Sequence, residues 1–70
     1  MTGRLWRLRR LHQSIDAVLV EGDEGGGVEL QFLLNGSVIF SRRWAERLPA
    51  VEEAAARRSE LEREGWMPHW

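Results

Sequence analysis

The sequence predicts one small α+β domain, an antiparallel meander sheet of three or four strands packed against one C-terminal helix. Three observations carry that prediction. Two runs of alternating apolar and polar residues flank the turn dipeptide Asn35-Gly36, and a β-branched run over residues 15–20 stops at a glycine-rich stretch. From Pro49 the composition turns to Ala, Glu, Arg and Leu, all strong helix formers. Seventy residues leave room for one domain, 1–70, close to the smallest chain that buries enough apolar surface to fold unaided.

The first strand is expected at about residues 5–10, where Leu5-Trp6-Arg7-Leu8-Arg9 alternates, and the second at about 14–21. Leu5, Leu8, Leu11, Ile15, Val18 and Leu19 also fit a 3.6-residue period, so a single helix over 4–19 competes with this pair. Strands are preferred because Ile15-Asp16-Ala17-Val18-Leu19-Val20 is rich in β-branched residues. No helix-stop residue precedes Gly22, and the stretch Gly22 to Gly27 suits a mobile hairpin loop after a central strand.

The third and fourth strands, about 28–34 and 37–43, form a hairpin about Asn35-Gly36. Side chains alternate, so register decides which face each residue joins. A two-residue type I′ loop would pair Leu34 with Ser37 and Phe32 with Ile39, mixing Val38 and Phe40 with Glu29 and Gln31. A three-residue loop with a bulge at Gly36 gathers Val28, Leu30, Phe32, Val38 and Phe40 instead, and that register is the expected one. The opposite face then carries Glu29, Gln31, Ser37 and Ser41, with Leu33 and Ile39 as its apolar members.

The helix is expected at about residues 49–64, with Pro49 in its first turn and Glu52 and Glu53 towards its positive end. Gly65 suits the left-handed residue after the helix, which makes Leu61 and Trp66 the apolar pair of a Schellman ending. Val51, Ala54, Ala55 and Leu61 form the expected apolar stripe, with the stem of Arg58 at its border.

Composition excludes several functions. With no cysteine there are no disulfides, thiolate metal sites or cysteine nucleophiles. Apolar runs such as Ala17 to Val20 are too short for a transmembrane span or a signal-peptide core, so no membrane association is expected and the cytoplasm is the expected compartment. His12 and His69 belong to no metal-ligand spacing, and Ser14, Ser37, Ser41 and Ser59 sit in no nucleophile elbow. Glu60, Glu62 and Glu64 point to different sides of a helix, and Gly25-Gly26-Gly27 lacks a phosphate-binding pattern. The expected protein is therefore not an enzyme and uses no cofactor, metal or small-molecule substrate.

Two features remain. The net charge of -1 conceals a segregation: four arginines and no acid in the first fifteen residues, then five acids and no base over residues 16–41. Arg4, Arg7, Arg9 and Arg10 with Arg42 and Arg43 would form a basic patch if the first and fourth strands shared a side. With Trp6 and Trp44 interleaved, such a patch would contact phosphates and stack on bases; ordinary solvated arginines explain the same residues. The second feature is four tryptophans in seventy residues. Trp6 and Trp44 suit the core, whereas Trp66 and Trp70 in the tail are candidate interface anchors, although a small domain needs such rings to fill its core and Trp66 suits either role.

Val28-Glu29-Leu30, the turn at Asn35-Gly36, Phe40-Ser41-Arg42-Arg43-Trp44, Glu53-Ala54-Ala55 and Gly65-Trp66 together resemble a group of small bacterial proteins of no known activity. Those proteins join a hairpin, a basic-aromatic junction and an alanine-rich helix ending in Gly-Trp. The resemblance covers about residues 28–66 and implies the fold alone. More distantly the order of elements is similar to AP2-type and integrase amino-terminal DNA-binding domains, where a three-stranded sheet reads a groove and a helix packs behind it. The Tyr-Arg-Gly and Trp-Leu-Gly elements of AP2 domains do not occur here, so no binding residue is carried over. The expected function is a protein-interaction or self-associating module using Leu33, Ile39, Trp66 and Trp70, its partner a second copy or another protein. The alternative is nucleic-acid binding through Arg4, Arg7, Arg9, Arg10, Arg42 and Arg43.

Overall fold

The computed structural model describes residues 2–22 and 26–68. The chain forms β1 (Thr2–Arg10), β2 (Gln13–Glu21), β3 (Val28–Leu34), β4 (Ser37–Trp44), α1 (Arg47–Arg63) and β5 (Met67–Pro68). The strands make one antiparallel sheet in the order β4-β3-β2-β1-β5, with the helix on one face. Residues 4–19 are strands, as their β-branched content favours, and β2 is the central one.

Register explains the burial. Trp6, Ala17, Phe32 and Phe40 form one transverse row, and Leu8, Ile15 and Leu34 another. These rows face the helix, and with Leu19, Val28, Leu30, Ala50, Ala54 and Trp66 they supply the core. The short side chains of Ala50 and Ala54 let α1 lie close to the sheet, close enough for the Trp6 indole Nε1 to donate to the Ala54 carbonyl at 3.0 Å. The buried stripe is thus Ala50 and Ala54 with partly buried Val51 and Leu61; Ala55, expected on it, is exposed, because it lies about 100° further round the helix than the buried Ala54.

The helix end is built as its sequence foretells. Gly65 has φ +102°, its N–H donates to the Glu62 carbonyl at 3.2 Å, and the Trp66 N–H donates to the Leu61 carbonyl at 3.1 Å. That Schellman geometry turns Trp66 back into the core, where it is 7% exposed. Arg10 closes the junction, its guanidinium 4.9 Å from the Trp66 ring centre and donating to the Glu64 carbonyl at 3.2 Å. The chain then lays Met67 and Pro68 beside Arg9 and Leu8 as β5.

The β3–β4 hairpin combines both registers weighed from the sequence. Asn35 and Gly36 both have positive φ, 52° and 87°, which makes a two-residue I′-like turn with Leu34 opposite Ser37 and Leu33 opposite Val38. A bulge between those pairs and Phe32↔Phe40 absorbs Ile39 and restores Phe40 to the helix side. The expected three-residue loop is therefore replaced by a tight turn, and the bulge sits three residues further along. Asn35 also holds β2, since its N–H donates to the Ser14 carbonyl and its Oδ1 accepts from the Ser14 N–H, each at 2.9 Å.

Candidate functional site

The open face of the sheet is set by the rows that alternate with the core. Thr2, Val20, Glu29 and Arg43 form one; Arg4, Val18, Gln31 and Ser41 the next; Arg7, Asp16, Leu33 and Val38 the third; Arg9 and Ser14 follow. No second helix covers this face among the described residues. Val18, Val20 and Leu33 are half-buried by their neighbours, and Val38 is exposed.

Charges on this face are organised in pairs. Arg7 holds Asp16 with two contacts, Nε to Oδ1 at 2.6 Å and Nη2 to Oδ2 at 3.0 Å. That hydrogen bonding, helped by the Asp16 charge and opposed by burial, raises the Arg7 pKa further above its ordinary value. Glu29 accepts from the Ser41 hydroxyl, from the Gln31 amide at 3.1 Å, and lies 3.5 Å from Arg43. The hydroxyl first, then the amide and the guanidinium, hold its carboxyl below the ordinary glutamate range against a smaller opposing effect of burial. Arg4 and Arg9 pair with no carboxylate among the described residues.

The six arginines expected to act together are therefore divided. Arg4, Arg7, Arg9 and Arg43 share the open face, but β2 and β3 stand between β1 and β4. Arg10 and Arg42 point to the helix side, Arg10 against Trp66 and Arg42 with its guanidinium 4.8 Å from the Trp44 ring centre. The aromatic rings of Trp6, Phe32, Phe40, Trp44 and Trp66 all belong to the helix side, so among the described residues the open face has no ring on which a base could stack.

The expected interaction residues separate as well. Leu33 lies on the open face, opposite Val38. Ile39, expected beside Leu33, is carried by the bulge to the helix side, where it is 57% exposed. Trp66 is a core residue, for the Schellman turn buries it, and Trp70 lies outside the described residues. Sequence reasoning missed Val38 because the parity of the whole strand was assigned from its core end.

Two hollows lie at the helix–sheet junction. One, of about 180 Å³, opens where Gly3, Leu5 and Leu19 meet the Glu21–Arg47 ion pair. The other, of about 210 Å³, is a mostly apolar groove between Ile39 and Phe40 of β4 and Arg57 and Leu61 of the helix, floored by Ile15 and Phe32. Among the described residues no three His, Asp or Glu side chains stand together to hold a metal ion, every buried side-chain polar atom has a partner, and no helix is long and apolar enough to cross a membrane. Comparisons with protein-family models, curated proteins and solved structures find no match to this chain.

Proposed function

We propose that this chain is a non-enzymatic protein-interaction module whose binding side is the β4 border of the sheet. One observation carries the reading: Val38 and Ile39, two large apolar residues each more than half exposed, stand next to each other on an outermost strand, one towards each face. Adjacent exposed apolar side chains on an edge strand favour association over solvation. Leu33 extends the apolar surface on the open face, and Phe40 and Leu61 extend it on the helix side.

The test compares the wild type with a Val38→Lys/Ile39→Lys double variant, in sedimentation over a wide concentration range and in affinity capture from the native lysate. Self-association or a retained protein that the double variant loses, with its circular dichroism unchanged, supports the reading. A wild type that stays monomeric and retains nothing the variant loses would overturn it.

A second reading is favoured by Arg4 and Arg9, two cations on the open face with no carboxylate partner among the described residues. They flank Arg7, whose guanidinium is held by Asp16, and present two guanidinium groups along β1 suited to a phosphate backbone. With no aromatic ring on that face among the described residues, duplex rather than single-stranded nucleic acid fits it. Anisotropy of a labelled duplex should then show salt-sensitive binding that Arg4→Ala/Arg9→Ala abolishes; a flat titration at low salt removes this reading.

A further inference from the structure

We propose that the free edge of β4 accepts an extended acidic segment of another protein as an added strand, with one apolar side chain of that segment seated in the groove between Phe40 and Leu61. The proposal rests on the interaction reading and names the partner's chemistry. Its first support is the backbone. β4 pairs with β3 along one side, and among the described residues no strand occupies its other side, so half of its N–H and C=O groups are available to a partner ladder.

The other border of the sheet differs. β5 covers Leu8 and Arg9 of β1 and ends in a proline, which has no N–H to offer, and the remaining part of β1 bears no large exposed apolar side chain. Beside β4, in contrast, the groove of about 210 Å³ has room for one large apolar side chain and is walled by Phe32, Ile39, Phe40 and Leu61. A strand laid along β4 would direct alternate residues to that helix side.

Charge selects the occupant. β4 holds Arg42 and Arg43 and no acid, and Arg57 borders the groove. Arg43 leans towards Glu29 at 3.5 Å and Arg57 towards Glu60 at 3.1 Å, while Arg42 lies against Trp44 and pairs with no carboxylate among the described residues. A second copy of β4 would add two more arginines to a short ladder with no acid on either strand, which like-charge repulsion opposes. The Ile39 bulge opposes self-pairing too, since it breaks the straight edge that two identical strands would share.

The register beyond the bulge gives the ligand a pattern. Phe40 and Arg42 face the helix side, and Ser41 and Arg43 face the open side. A parallel partner strand would therefore read apolar, any residue, acidic, acidic, and an antiparallel one would read the reverse order. The two acids meet Arg42 and Arg43 on opposite faces while the apolar residue enters the groove.

The experiment uses the full chain and four labelled peptides: one with a Leu-Thr-Glu-Glu centre, one with Glu-Glu-Thr-Leu, and the Lys-Lys counterpart of each. Anisotropy should show that one acidic peptide binds at least roughly tenfold more tightly than its lysine counterpart, as two cross-strand pairs changed from attraction to repulsion imply. The Arg42→Glu/Arg43→Glu variant should invert that order, and backbone N-methylation of the tighter peptide at alternate residues should abolish binding in one of the two registers. Amide shifts should map to residues 37–44 and to Arg57 and Leu61. Equal affinity for the lysine peptides, insensitivity to N-methylation in both registers, or a β4-mediated dimer in place of peptide binding would each overturn the proposal. If no peptide binds while the Val38→Lys/Ile39→Lys pair still loses a captured partner, strand addition fails and the interaction reading stands. If both fail, both are overturned.

Discussion

Among the described residues, Leu11 is the one whose backbone least suits its side chain. It has φ +56° at the tip of the β1–β2 hairpin and is 84% exposed, so no packing compensates the crowding of Cβ against the carbonyl oxygen. Asn tolerates this conformation better because its short polar side chain bonds locally. Leu11→Asn should therefore stabilise the fold by about 1 kcal/mol or less, seen as a melting temperature raised by several degrees. Glu29 gives a second prediction at this scale. Its pKa is lowered by Ser41, Gln31 and Arg43, so its contribution is complete above the unfolded value of about 4.3 and is lost as pH falls through the lowered folded value. Urea titrations across that acidic window should show the wild type losing stability where Glu29→Gln shows a flatter profile. An unchanged slope would mean that the Glu29 network adds nothing to the folded state.

At the scale of elements, the helix stop was written locally and the strand registers were not. Gly65, Leu61 and Trp66 occupy fixed offsets in a local motif, so the Schellman ending could be placed residue by residue from sequence, and the structure places it there. Gly65→Ala should consequently cost about 1 kcal/mol, the price of a Cβ at positive φ, measured by chemical denaturation with the helix content retained. The bulges at Leu5 and Ile39 carry no such local signature. The Ile39 bulge arises because a tight turn fixes one parity at the hairpin tip while the core demands another at Phe40, a conflict only the assembled sheet resolves. This is why Leu33 and Ile39 were expected on one face and occupy two. The two-residue β5 was equally out of reach, since Met67 and Pro68 become a strand only because Trp66 is already anchored beside β1.

For the whole molecule, the decisive feature is a core one layer deep. A chain of seventy residues has a net stability of roughly 4–10 kcal/mol, and its buried core is drawn from one sheet face, two helix alanines and Trp66. Large side chains therefore fill space that the helix leaves empty. Trp6 spans from the sheet to the Ala54 carbonyl, and Trp66 closes the far end against Arg10. A tryptophan-rich tail read from sequence alone suits an interface as well as a core, and the burial of Trp66 behind the chain reversal at Gly65 decides for the core. Trp66→Ala should cost about 3–5 kcal/mol, a large share of the total, because it opens a cavity and also frees β5 and the Arg10 contact. Val38→Lys, on the open face, should stay within about 0.5 kcal/mol of wild type. Paired urea melts of these two variants separate the residues that hold the fold from those free to serve a partner. A Trp66→Ala melt indistinguishable from wild type would return Trp66 to the surface and reopen the tail as a binding element; a collapsed one leaves binding to the β4 border.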